Sequence, residues 1–168
     1  DAEALACSDA SFDVAINSLG AMYYPDPDKA FREMYRIIKP GGKGSSIGLG
    51  TPIYLGWAEI FPIVDRRVES DGVRFFQLGT GQTIQHAFKA AGFHDVSSDR
   101  FNVYLRYESD KEAIVGAFLG SAVALAYRKF DEQTKEEAHA EYIESIQPYW
   151  NASAYEISSK FVIVAGRK

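Results

Sequence analysis

From Phe12 to Ser18 the chain reads F-D-V-A-I-N-S, with Val14 and Ile16 on either side of Ala15. A short, almost unbroken apolar run predicts a strand covered on both faces, as in a parallel sheet. Asp26 then supplies a helix N-cap, and Pro27 suits the first helical position, where its missing N–H costs nothing. Ala30, Phe31, Met34, Ile37 and Ile38 recur at helical spacing until Pro40-Gly41-Gly42, which predicts a stop there and a strand over Lys43–Gly50. Residues 51–79 are aromatic without a single period, which predicts a helix around Trp57–Val68 and a loop after it. Thr80 reads as the next N-cap, with Ile84, Ala87, Phe88 and Ala91 on one face and Gly92 as the stop. Alternation through Phe101, Val103 and Leu105 predicts a strand over Asp95–Tyr107, and Phe161–Val164 a second one paired with it. Between them lie two helical stretches, an apolar one over Lys111–Arg128 and an acidic amphipathic one over Asp131–Ile146. In the first, Gly116, Gly120 and Ala124 stand four apart, predicting a smooth face open to a second helix.

Strands alternating with helices make this an α/β chain, and its 168 residues suffice for one domain of ordinary size. Charge narrows the partners. A formal net charge of -5 disfavours a grip on nucleic acid, which needs a basic stripe, and basic residues stand no more than two together, as at Arg66-Arg67. The single cysteine, Cys7, excludes an internal disulfide framework and fits a reducing compartment, so a cytoplasmic setting is expected. The longest apolar run, Ala113–Tyr127, contains Gly116, Gly120 and Ser121 and falls short of the ~20 residues that cross a bilayer, so no membrane partner is expected. No leader pattern opens the chain.

The strings D-A-E-A-L at Asp1, S-F-D-V at Ser11 and K-P-G-G at Lys39 are more specific than any of these patterns. Together they resemble the class I S-adenosylmethionine-dependent methyltransferases, in particular the methyltransferase domain typified by ubiquinone and menaquinone biosynthesis enzymes. The resemblance implies a Rossmann-like sheet running 3-2-1-4-5-7-6, of which this chain supplies strands four to seven with flanking helices and a helical insertion before the last strand. It also implies that the glycine-rich cofactor loop and the ribose-binding acid lie upstream of Asp1. Residues 1–168 then form a single partial methyltransferase domain, with 51–79 and 111–147 as segments on the acceptor side. S-adenosylmethionine is the implied cofactor, and a small molecule the implied acceptor.

In a doubly wound sheet ligands sit at the carboxyl ends of the strands. By the resemblance, Asp1 accepts a hydrogen bond from the adenine amino group and Ala2 offers a backbone amide to the ring. Asn17, Ser18, Leu19 and Gly20 line the methionine part of the cofactor, and Met22, Tyr23 and Tyr24 face the acceptor. Methyl transfer asks chiefly for alignment and exclusion of water, so no side chain need act as a base unless the acceptor carries a proton that must leave. His86, His94 and His139 therefore read as structural or solvated, and Cys7, where the family shows Pro-Phe after A-E-x-L, as a small buried residue rather than a nucleophile.

Lys43-Gly44-Ser45 lacks the remaining residues of a phosphate loop, and no His/Cys cluster offers a metal site. Two other classes remain open. One is a non-catalytic fragment or self-associating module, joined as a homodimer through the exposed edge of the 12–18 strand or through the face of Gly116, Gly120 and Ala124. The other is an NAD(P)-dependent oxidoreductase on a related sheet. Against the second, K-P-G-G after a helix capped by an acidic residue is a habit of the methyltransferases that the chain resembles.

Overall fold

The computed structural model describes residues 1–50, 56–68, 78–120 and 123–168. Four strands, β1 (Phe12–Ser18), β2 (Ile38–Leu49), β3 (His94–Tyr107) and β4 (Tyr155–Arg167), form one sheet in the order β1-β2-β4-β3. β1 runs parallel to β2, and β4 antiparallel to it. With β1 as strand four, this is the 4-5-7-6 half of the order that the resemblance implied. The stretch read as one domain packs as two compact units, Asp1–Thr51 with Val73–Phe101 and Lys160–Lys168, and Pro52–Gly72 with Asn102–Ser159.

In the first unit, α1 (Pro27–Ile37) begins as expected, with the Asp26 carboxylate accepting from Lys29 N at 2.9 Å and Pro27 in the first turn. It ends earlier than the glycines suggested. Pro40 disfavours a helical Lys39, and Ile38 is already extended, so β2 starts at Ile38 and contains Pro40-Gly41-Gly42 within its span. Gly41 takes a left-handed φ of 81° where the register with β1 jumps from Ile38 to Lys43. Helix α3 (Thr83–Ala90) also departs from the reading of Thr80 as its cap. Gln82 holds the cap position, and the Thr80 carbonyl accepts from the Thr83 hydroxyl at 2.8 Å.

α1 and α3 cover one face of the sheet. Phe31, Ile84, Phe88, Phe93, Val162 and Val164 are buried there, with the Phe88 ring stacked 4.8 Å from Phe93 and tilted against Phe31 at 4.9 Å. The seat for Phe93 is made of two glycines paired across β2 and β4. A Cβ on Gly44 would lie 2.5 Å from its ring, and one on Gly166 2.8 Å from its Cβ. The Lys43-Gly44-Ser45 string thus has a packing reason.

β1 is parallel as expected but not buried on both faces. It is the edge of the sheet, and Phe12, Val14 and Ile16 are 42%, 54% and 69% exposed. The apolar run anticipates a second covering layer that none of the described residues supplies.

In the second unit, α2 (Ile60–Asp65) lies within the helix expected at Trp57–Val68, and α6 (Glu132–Ile146) is capped by Asp131, as its pattern predicted. The apolar stretch before α6 is not one helix. α4 (Asp110–Ile114) passes into a wide π turn at Val115–Leu119, and a separate α5 covers Ala124–Tyr127. The predicted smooth face therefore does not form. A Cβ on Gly116 would lie 2.8 Å from the Tyr107 ring, so this glycine is taken up by the chain's own tyrosine rather than left for a partner helix. No helix among the described residues is long and apolar enough to cross a membrane.

Candidate functional site

The parallel strand β1 delivers its carboxyl end to a tight turn, and Asn17 builds it. Its side-chain oxygen accepts from Gly20 N at 3.1 Å and Ala21 N at 3.2 Å, an Asx-type closure that holds Leu19 in the left-handed region at φ 56°. The Asn17 amide nitrogen donates to the Tyr24 hydroxyl at 3.0 Å. Gly20 is required by this bridge. A Cβ there would sit 2.7 Å from the Tyr24 oxygen, and its φ of −93° is open to any residue, so the glycine serves close approach and not a special backbone angle.

A second set of bonds lashes residues 1–10 to α1. The Asp1 carboxylate accepts from Glu3 N at 2.9 Å, and the Glu3 carboxylate from Asp26 N at 2.8 Å. Leu5 N donates to Glu33 at 2.8 Å. Arg36 spends every N–H it has: on both Glu33 oxygens, the carbonyls of Leu5 and Cys7, and the Asp9 carboxylate, at 2.6–3.0 Å. The Arg36 guanidinium beside it is the main reason the Glu33 carboxyl falls from 4.5 to about 2. Cys7 is half-buried in this segment, and its carbonyl takes one of those bonds.

These two constructions enclose a cleft of about 340 Å³ between the 1–5 segment, β1 and α1. Of the residues singled out from sequence, Ala2, Asn17, Ser18, Gly20 and Tyr24 line it. Its remaining walls are apolar, from Leu5, Ala15, Ile16, Ala30, Met34 and Ile37. Asp1, Leu19, Met22 and Tyr23 are not part of the lining. Asp1 stands exposed just before Ala2, and Leu19 turns its side chain outward while its N–H bonds to Ile47 O at 3.0 Å. The volume and the few polar groups in an apolar cleft match a small-molecule site. Sequence reading missed Glu33 and Arg36. Their i, i+3 spacing on a helix face was visible, but an ion pair on a helix is usually only a solvated surface feature.

The histidines fall where expected. His86 lies within α3, and His94 opens β3 beside Asp95 at 3.2 Å. His139 contacts the Tyr127 hydroxyl at 2.9 Å and the Phe118 ring, and burial holds its pKa below 6.5, which keeps it neutral at pH 7. In the same unit the Tyr155 hydroxyl donates to Asp110 at 2.6 Å, and burial raises its pKa to about 12. Trp57 donates to the Ser159 hydroxyl at 2.7 Å and packs on Phe61, which gives it a structural role. Tyr54, Phe75 and Phe76, part of the aromatic set on the acceptor segments, lie outside the described residues. Among the described residues no group of His, Cys, Asp and Glu could hold a metal ion.

Residues 1–45 match the methyltransferase domain family. The chain is 31% identical over 118 residues to the ubiquinone/menaquinone biosynthesis C-methyltransferase UbiE of Klebsiella pneumoniae, covering 61% of this chain and 46% of that protein. It is 37% identical over 68 residues to a demethylmenaquinone methyltransferase of Listeria monocytogenes, covering 40% of this chain and 29% of the relative. The chain thus spans less than half the length of these curated relatives.

The fold is shared more widely. A putative methyltransferase of Bacillus halodurans superposes with a TM-score of 0.57 at 15% identity, over 100% of this chain and 75% of its own. A Haemonchus contortus phosphoethanolamine N-methyltransferase 2, solved with S-adenosyl-L-methionine, gives 0.51 at 20% identity over 99% of this chain and 36% of its own. The fold is that of the class I S-adenosylmethionine-dependent methyltransferases, and the residues that line the cleft all fall within the 1–45 stretch that matches the methyltransferase domain family.

Proposed function

We propose that the protein containing this chain transfers a methyl group from S-adenosylmethionine to a small-molecule acceptor, and that the cleft beside β1 receives part of the cofactor. What carries this is the coincidence of two findings. The 4-5-7-6 strand order places Ala2, Asn17, Ser18 and Gly20 around one cleft, and residues 1–45 are the part that matches the methyltransferase domain.

Bound there, the sulfonium supplies an already activated methyl group. The chain's contribution is to bind and align. Asp1, exposed at the cleft's end, accepts from the adenine amino group, Ala2 presents its backbone, and the Asn17–Gly20 turn borders the methionyl part. We keep Met22 and Tyr23 as acceptor-facing and place the protein in the cytoplasm, in keeping with its lone cysteine.

Titration calorimetry tests this with residues 1–168 and with the same residues joined to any coding sequence preceding Asp1. The longer protein is expected to bind S-adenosylmethionine, and residues 1–168 alone weakly or not at all, because the glycine loop and ribose acid are missing from them. In the longer protein Asp1→Ala should weaken binding by about 1.5–3 kcal/mol, roughly ten- to a hundredfold. A longer protein that does not bind removes the function. Micromolar binding by monomeric residues 1–168 relocates the pocket.

A second property is favoured by the open side of β1. Its N–H and C=O groups on that side, unpaired among the described residues, are flanked by exposed Val14 and Ile16 and free of proline or lysine, and form an edge suited to pairing with a second copy. Residues 1–168 are expected to self-associate in light scattering, and Ala15→Pro to reduce it. A stable monomer at high concentration rules the edge out.

A further inference from the structure

We infer that the Tyr24 hydroxyl binds the carboxylate of the cofactor's methionyl portion, and that Asn17 is the positioning residue that aims it. This rests on the methyl-transfer reading of the cleft and adds a specificity determinant to it.

The direction of the hydrogen bonds decides the matter. Asn17 is only 9% exposed, and its side-chain oxygen is fixed in place because two backbone N–H groups, those of Gly20 and Ala21, point at it. The amide therefore has one orientation, with its nitrogen toward Tyr24. That nitrogen can only donate, so the Tyr24 oxygen accepts, and the tyrosine's own hydrogen is left to give away. Among the described residues it has no acceptor.

The walls nearby, Leu5, Ala30, Met34 and Ile37, are apolar and offer none. A half-buried donor without an acceptor in an apolar cleft selects a ligand that brings one. Of the groups on S-adenosylmethionine, the carboxylate is the anion, and a hydroxyl-to-carboxylate bond is charge-assisted. The adenine end is assigned to Asp1 and Ala2, and Tyr24 stands against the Asn17–Gly20 turn, which borders the methionyl part. Gly20 belongs to the same device, since any side chain there would collide with the Tyr24 oxygen.

The test uses the longer protein and two nucleosides, S-adenosylhomocysteine, which has the carboxylate, and 5′-methylthioadenosine, which does not. Tyr24→Phe should weaken the first by about tenfold or more and leave the second unchanged. Thermal unfolding without ligand should fall modestly, since the Asn17 amide loses its acceptor, and that loss weakens neither nucleoside selectively. Gly20→Ala, which displaces the hydroxyl without removing it, should give the same selective loss and serves if the tyrosine variant folds poorly. Equal losses for both nucleosides, or none for either, overturn the assignment of Tyr24 while leaving the methyl-transfer reading in place. Failure of the unaltered protein to bind either nucleoside overturns both.

Discussion

The two faces of the sheet in the first unit carry the same kind of residue and have opposite fates. On one, Phe31, Phe88 and Val164 are fully buried under α1 and α3. On the other, Phe12 and Val14 stand 42% and 54% exposed. Apolar alternation in a strand declares what each face can bury, and whether it is buried depends on what else packs there. The cleft lies on the covered side, where Ala15 and Asn17 of β1 meet Ala30, Met34 and Ile37 of α1. The site is thus built against the buried face of the unit.

Substitutions of matched size should separate the faces most strongly. Phe88→Ala removes a fully buried ring packed on Phe31 and Phe93, and should cost about 3–5 kcal/mol in denaturant unfolding. Val14→Ala on the bare face should change stability by no more than about 0.5 kcal/mol. Equal losses would mean that the bare face is covered in solution.

Next in size is Gly44→Ala. The new methyl group would press on the Phe93 ring and should cost about 1–3 kcal/mol, measured in the same way. Little or no loss would show that the covered face is loosely packed.

Smaller still is the clamp on the outer side of α1. Glu33 has its pKa lowered from 4.5 to about 2 in the folded protein, so its ion pair contributes fully above pH 4.5 and is lost as the pH falls from 4.5 toward 2. Both side chains are partly exposed, at 20% for Glu33 and 29% for Arg36, so Glu33→Gln should cost about 1 kcal/mol or less near pH 7. The variant should also have a shallower fall in stability across that acid range. An unchanged acid profile would show that the segment over residues 1–10 is held by other contacts.

The smallest effect on stability belongs to Ile16→Lys. It adds a charge to an already exposed position and should shift unfolding by about 0.5 kcal/mol. It should nevertheless lower self-association in sedimentation, because an inserted lysine is a common guard of a strand edge. Association that persists would place the contact elsewhere.

Much of the fold could be read from local chemistry. Asp26-Pro27 and Asp131 start their helices because a carboxylate beside free N–H groups acts within one turn, whatever lies further away. The strands at Phe12, Asp95 and Phe161 were legible for the same reason, as was the pairing of the last two. The break between α4 and α5 was not, because Gly116 yields to a ring from Tyr107 in another element. At the site, D-A-E-A-L and N-S-L-G marked the segments but not the division of labour within them. Asn17 proved to hold the turn and Tyr24, and Glu3 to hold the start of α1, through contacts 7 and 23 residues away in sequence.

The sequence by itself determined which segments become strands and helices, where most of them start, and which class of chemistry the first fifty residues resemble. These follow from caps, periodicity and motif strings, which act over a few residues. Only the tertiary structure decided that β1 is an exposed edge, that Gly44 and Gly166 seat Phe93, and that the Tyr24 hydroxyl accepts from the Asn17 amide. Each of those depends on which distant groups come within a few ångströms, and solvent exclusion and hydrogen-bond direction exist only after they have met.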